Sequence, residues 1–152
     1  MLSPKKIKFK KQRKYKGNLH YISGKTNRKQ IAYKKASSGT RLMIGSYGIK
    51  AMEPCKLTAA QIEACRQAMN RILKTNGQLW IRVFPDIPVT KKPTEVRMGK
   101  GKGGVEYYMT PVKAGRILFE YDGISQEQAL IMIRYAQAKL SIPLKLIKSA
   151  KV

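Results

Sequence analysis

Acidic residues are scarce in this chain, and the first fifty residues have none. Eight Asp and Glu stand against 32 Lys and Arg, a formal net charge of +24 over 152 residues. A folded chain with that imbalance repels itself unless a polyanion neutralises it. The fitting partners are nucleic acid, an anionic membrane surface or a strongly acidic protein. Histidine and cysteine are as sparse: His20 is alone, and Cys55 and Cys65 are the two cysteines. Too few ligands remain for structural zinc, and two thiols cannot make a disulfide framework. Both cysteines are expected to be small apolar fillers in a reducing compartment. Long apolar runs are missing too. Ala129-Leu-Ile-Met-Ile133 falls far short of the ~18 residues a membrane span needs, so no span is expected. The lysine-rich start, Met1-Leu-Ser-Pro followed by Lys5-Lys-Ile-Lys-Phe-Lys-Lys11, lacks the apolar stretch of an export signal. Pro4 and Gly17 also suit a mitochondrial transit peptide poorly.

What is present is positive charge, unevenly placed. Residues 1–50 hold 15 of the basic residues, and the first acid is Glu53. Such a block marks an interaction arm. In its first part, Lys5, Lys6, Lys8, Lys10, Lys11, Arg13 and Lys14 alternate with Ile7, Phe9 and Tyr15. On RNA the cations can take phosphates while the rings pack on sugars or bases. No period holds over 18–39, which reads as arm or loop.

The folded body is expected to begin near Arg41. Leu42-Met-Ile44 and Ile49 suggest a strand. Thr58 with Gln61 is a capping-box pair opening a helix, with Ile62, Cys65, Met69, Ile72 and Leu73 on its apolar face and Arg66 and Arg71 off it. Gln78–Phe84 alternates as a strand, and Ile87–Thr90 suits a short edge strand among prolines. Glu106–Val112 and Arg116–Tyr121 suggest a hairpin turned at Ala114-Gly115. Ser125 and Gln128 form a second capping box, with Leu130, Ile133, Ala136 and Leu140 striping the helix before Pro143. Leu144–Ile147 is a last strand. The order predicts an α+β domain over 41–152, two helices packed on a mostly antiparallel sheet, preceded by a basic arm over 1–40.

Residues 97–104, RMGKGKGG, contain a literal G-x-G-x-x-G at Gly99, Gly101 and Gly104. A dinucleotide site needs a helix after the glycines, because its free N–H groups face the phosphate. Here Val105–Met109 reads as strand. A Walker loop needs lysine where Val105 stands, and the kinase sequences that accompany a glycine loop between strands are absent. A Ser-His-acid site would depend on His20 inside the acid-free arm. Glu120 and Asp122 are spaced as ordinary strand alternation, which predicts a solvated strand edge rather than an acid/base pair. No catalytic residue, metal or cofactor is expected. The loop reads instead as a slim RNA probe: glycines allow close backbone approach, and Arg97, Lys100 and Lys102 supply charge, with Lys91 and Lys92 at its base.

Several of these stretches resemble the bacterial and organellar L-sixteen family of large-subunit ribosomal proteins. They are the opening Met1–Lys11, Leu57-Thr-Ala-Ala-Gln-Ile-Glu-Ala64, Trp80-Ile-Arg-Val-Phe-Pro-Asp86 and Pro88-Val-Thr90. Arg97-Met-Gly-Lys-Gly-Lys-Gly103, Val105-Glu-Tyr-Tyr108 and Gly115-Arg-Ile-Leu-Phe-Glu120 complete the set. The resemblance covers 1–17 and about 41–147. It implies two helices on antiparallel strands and a non-catalytic protein seated on large-subunit rRNA beside the tRNA cleft, with neighbouring large-subunit proteins as further partners. It implies that Arg97, Met98, Gly99, Lys100, Gly101 and Lys102 extend toward the peptidyl-transferase region and transiently meet tRNA acceptor arms, supporting aminoacyl-tRNA positioning. The arm cations, with Arg41, Arg66, Arg71, Arg82, Lys91 and Lys92, are the expected rRNA-binding residues. Residues 18–40 look like an insertion, expected to make extra rRNA or protein contacts. Pro93–Arg97 and Ile117–Ile124 look more like mitochondrial members than plastid ones, so an organelle-encoded mitochondrial ribosome is the expected location, with bacterial cytoplasm or plastid as alternatives. The alternative function is a free basic nucleic-acid-binding or RNA-chaperone protein.

Overall fold

Thr58 ends a strand and opens a helix in one residue. Its Oγ1 accepts from the Gln61 N–H at 3.2 Å while Gln61 Oε1 accepts from the Thr58 N–H at 2.9 Å, which satisfies two otherwise orphaned donors. The computed structural model describes residues 2–12, 35–73, 77–99 and 101–149. Among them the chain runs β1 (Tyr47–Ala51), β2 (Cys55–Thr58), α1 (Ala59–Leu73), β3 (Gln78–Ile81), β4 (Ile87–Lys91), β5 (Gly104–Val112), β6 (Ile117–Asp122), α2 (Gln126–Lys139) and β7 (Leu144–Lys148). The second capping box forms as well: the Gln128 N–H donates to Ser125 Oγ, and Gln128 Oε1 accepts from the Ser125 N–H.

The fold is α+β, with two helices and antiparallel strand ladders among the described residues. The strands divide between a four-stranded sheet, β3-β6-β1-β7, and a three-stranded sheet, β2-β5-β4. One core joins them. Ile62, Cys65, Met69 and Leu73 of α1 and Ala129, Met132 and Ala136 of α2 pack with Ile49, Phe119 and Tyr121 of the larger sheet and Leu57 and Val112 of the smaller. Tyr121 stacks on Tyr47 at 5.9 Å between ring centroids.

Four expectations shift. The hairpin between 106–112 and 116–121 does not exist. β5 pairs with β2 and β4, and β6 pairs with β1 and β3, so Ala114-Gly115 carries the chain from one sheet to the other. Gly115, at φ 90, donates its N–H to Ala51 O there. The hairpin that does form is β4–β5, with the glycine-lysine loop as its tip. The strand expected to run to Phe84 ends at Ile81. Buried positions on α2 are Ala129, Met132 and Ala136, with Leu140 buried at its C-cap, while Leu130 is exposed, because small alanines rather than the largest side chains allow close approach to Tyr121 and α1. Finally, Leu42–Ile44 is not a strand.

Residues 35–46 instead form a strap along β6. Ala36 N–H donates to Ala114 O, and Ile117 N–H to Gly39 O, both at 2.8 Å. Ser46 Oγ donates to Asp122 Oδ1 at 2.6 Å. Both edges of β6 are already taken by β1 and β3, so along the middle of β6 the strap has no ladder to join and is held there through a side chain, Glu120. The strap thus extends the described body back from Arg41 to Lys35. The expected insertion at 18–40 falls mainly on 18–34, outside the described residues.

Candidate nucleic-acid interface

The β4–β5 hairpin closes at the pair Lys91↔Gly104. Beyond it the chain leaves the sheet, and residues 93–99, 101 and 102 are exposed, with Met98 96% accessible. Gly99 (φ 96) and Gly101 (φ 83) both take the left-handed conformation that glycine adopts without strain. A Cβ at either would meet nothing within 4 Å. These glycines serve loop shape and slimness. Gly103 is different: a Cβ there would lie 2.4 Å from Lys91 O. It lets the two strands cross closely at the loop's base.

That contrast gives an ordered pair of outcomes. Gly103→Ala should destabilise the fold by about 2–3 kcal/mol, since the clash is with ladder backbone that cannot give way. Gly99→Ala should cost about 1 kcal/mol, from the left-handed φ alone. Urea unfolding of both variants measures this, and the reverse order would refute the packing role of Gly103.

A strand, β5, follows the glycines directly. No helix N-terminus is available to face a nucleotide phosphate, so the G-x-G-x-x-G spacing does not build a dinucleotide site. Among the described residues no group of His, Cys, Asp and Glu could hold a metal, and no helix is long and apolar enough to cross a membrane. Cys55 and Cys65 are buried free thiols, and burial pushes both up to about 12, far from the reactive thiolate.

The structure brings two of the expected basic elements together. Leu2 at the head of the arm packs on the core, and the arm's far end reaches the loop. Lys11 Nζ donates to Lys102 O at 2.9 Å, and Lys102 Nζ donates to Gln12 O. Between these points Lys5, Lys6, Lys8, Lys10 and Lys11 are all exposed, with Lys8 Nζ 5.8 Å from the centre of the Phe9 ring. At the loop's base Lys92 Nζ donates to Gly99 O, bracing the tip. Lys91 Nζ lies 3.3 Å from Glu106, an exposed pair that contributes little to stability. Arg97 and Met98 stand free of the sheet at the exposed end. Arg13, Lys14 and Lys100 lie outside the described residues.

The remaining expected residues sit on other elements. Arg66 is paired with Glu63 on α1, Nη2 to Oε1 at 2.6 Å, and the hydrogen bond holds the Glu63 carboxyl below its ordinary range. Arg71 is exposed in the last turn of the same helix. Arg41 is exposed on the strap. Arg82 is half-buried, its Nε 3.2 Å from Glu120 Oε1 and its Nη2 3.2 Å from Met43 Sδ.

Glu120 is the residue the sequence reading missed. It is not on a solvated strand edge; its exposure is 0%. Its Oε2 accepts from the backbone N–H groups of Met43, Ile44 and Gly45 at 3.1, 2.8 and 3.1 Å. Burial pushes its carboxyl up, but those three donors and Arg82 outweigh it, and the net displacement is downward. A sequence signal existed: Leu118, Phe119 and Tyr121 surround Glu120, so apolar residues fall on both faces of the strand, as in a strand covered on two sides.

Residues 4–147 match the family model described as ribosomal protein L16p/L10e. Three similar proteins are each named large ribosomal subunit protein uL16. That of Bartonella quintana is 49% identical over 148 residues, covering 97% of both chains. That of Mesorhizobium japonicum is 50% identical over 142 residues, covering 93% of both. That of Sphingopyxis alaskensis is 50% identical over 147 residues, covering 97% of this chain and 92% of its own.

Proposed function

The chain belongs to the L16p/L10e family of ribosomal proteins, and from that premise we propose that its arm and its β4–β5 loop form one rRNA-binding surface beside the tRNA cleft. The family makes it a structural, non-enzymatic constituent of the large ribosomal subunit, associated with rRNA and other large-subunit proteins. The observation that carries the finer reading is the meeting of Lys11 and Gln12 with Lys102. It joins two stretches that are 91 residues apart in sequence into one cationic face.

On this reading Lys5, Lys6, Lys8, Lys10 and Lys11 take rRNA phosphates, with Arg13 and Lys14 continuing the same run. Lys91 and Lys92 hold backbone around the loop's base, and Arg41, Arg71 and Arg82 add contacts from the body. Arg66 would have to release Glu63 to do the same. Arg97, Met98, Gly99, Lys100, Gly101 and Lys102 enter the crowded RNA near the peptidyl-transferase region and steady the tRNA acceptor arm. Peptide-bond chemistry is not assigned to any of them. The relatives named above are bacterial, which favours a bacterial ribosome over the mitochondrial one suggested by sequence resemblance.

Arg97→Ala should slow elongation several-fold, since a planar cation at the tip is lost, while leaving subunit incorporation near wild type. Translation assays with purified variant ribosomes, alongside quantification of the protein in gradient-purified large subunits, measure both. Unchanged elongation at equal incorporation would contradict the role of the tip. A free RNA chaperone would instead stay at the top of a high-salt sucrose gradient.

A further inference from the structure

Three consecutive backbone N–H groups, those of Met43, Ile44 and Gly45, converge on one oxygen. Such a concavity binds anions. Here it is filled from inside by the buried Glu120 carboxylate. Two consequences follow for the strap. Its N–H groups are withdrawn from any outside phosphate, and at Gly45 its backbone lies so close to β6 that a Cβ would sit 2.7 Å from Tyr121 O.

The side chains this turn presents are unusual for a surface. Met43 is 77% exposed and Ile44 53%. Arg41 precedes them in the open, and the Arg82 guanidinium lies against Met43 Sδ. Among the described residues, two acids bond the strap: Glu120, which is buried, and the half-exposed Asp122, which accepts from Ser46 Oγ. The strap itself carries no acid, since the first in the chain is Glu53. An exposed apolar tip flanked by guanidinium groups, with the Glu120 carboxylate buried behind it, suits an unstacked nucleotide better than a protein surface. RNA is recognised where single-stranded bases splay out and pack on flat or apolar side chains.

We propose that the strap turn Arg41–Gly45 is a second RNA-docking surface, with Met43 and Ile44 against a base or ribose face and Arg41 and Arg82 on the flanking phosphates. It rests on the rRNA-binding reading above and adds a contact by shape to the arm's contacts by charge. Glu120 sets the turn but does not touch the RNA.

Filter binding of the full-length protein to its large-subunit rRNA transcript, across a KCl titration, tests this. Met43→Ser with Ile44→Ser should melt like wild type and bind about tenfold more weakly, from lost apolar burial. Its log affinity should fall with log salt at the wild-type slope, because apolar contacts release no counterions. Met43→Leu with Ile44→Leu should bind like wild type. Arg41→Gln should instead lower the slope by about one. A serine double variant that binds as tightly as wild type overturns the inference while the rRNA-binding reading stands. So does one that binds rRNA normally but is lost from assembled subunits, which would make the turn a protein contact. Failure of the wild-type protein to bind overturns both.

Discussion

Glu120→Ala should lower unfolding free energy by about 3–5 kcal/mol, the usual cost of removing one partner of a buried ion pair. Three N–H groups lose their acceptor and Arg82 loses its counter-charge. The strap then has no other tie to the middle of β6. At about 2–4 °C per kcal/mol for a chain this size, the melting temperature should fall by roughly 6–20 °C. Glu120→Gln keeps an acceptor and loses the charge, so it should fall between the two. The same residue sets a pH dependence. Its folded-state pKa is displaced downward, so its contribution is fully present above the unfolded carboxyl value of about 4.3 and is lost as pH falls through the folded value. Wild type should therefore weaken as pH drops below about 4, and Glu120→Gln should weaken less steeply. Some slope should remain in the variant, because Glu63 and Asp122 are displaced in the same direction. Urea unfolding across acid pH measures both effects. Equal stability of Glu120→Ala and wild type would show that the strap is held by something else.

Deleting residues 2–12 should reduce rRNA affinity by orders of magnitude at low salt and flatten its salt dependence. Five exposed lysines leave together, Lys5, Lys6, Lys8, Lys10 and Lys11. If each neutralises one phosphate, the slope of log affinity against log salt should fall by about four. The deletion also removes Leu2 from the core and the Lys11 and Gln12 contacts to Lys102. A five-fold Lys→Gln variant separates these causes, since it keeps Leu2 in place. It should show the same loss of slope with near wild-type stability. An unchanged slope in that variant would place the phosphate contacts elsewhere.

Features fixed within a few residues could be read from sequence. Thr58 with Gln61 and Ser125 with Gln128 announce helix starts because each box is complete inside one turn. The nucleotide reading could be discarded for the same reason: the strand after the glycines is visible in Val105–Met109. Pairing between strands was not legible. β5 and β6 are neighbours in sequence, yet β5 pairs with β4 and the more distant β2 while β6 pairs with β1 and β3, so the short link at Gly115 looks like a hairpin turn and is a crossing between sheets. On α2 the bulky residues suggested one stripe and the alanines defined another. Glu120 was misplaced because alternation places it on one face of β6 but cannot say that a strap covers that face. The arm's meeting with Lys102 is likewise long-range, although the need of both segments for a polyanion was plain from their charge.

A cryo-EM map of the source organism's large subunit with tRNA bound tests the central claim most directly. The expected map has residues 2–12 threaded among rRNA phosphates and the β4–β5 loop entering the tRNA cleft, with Arg97 at the end nearest the acceptor arm. A map in which that loop points into solvent away from tRNA, or in which the arm lies off the RNA, would contradict the account.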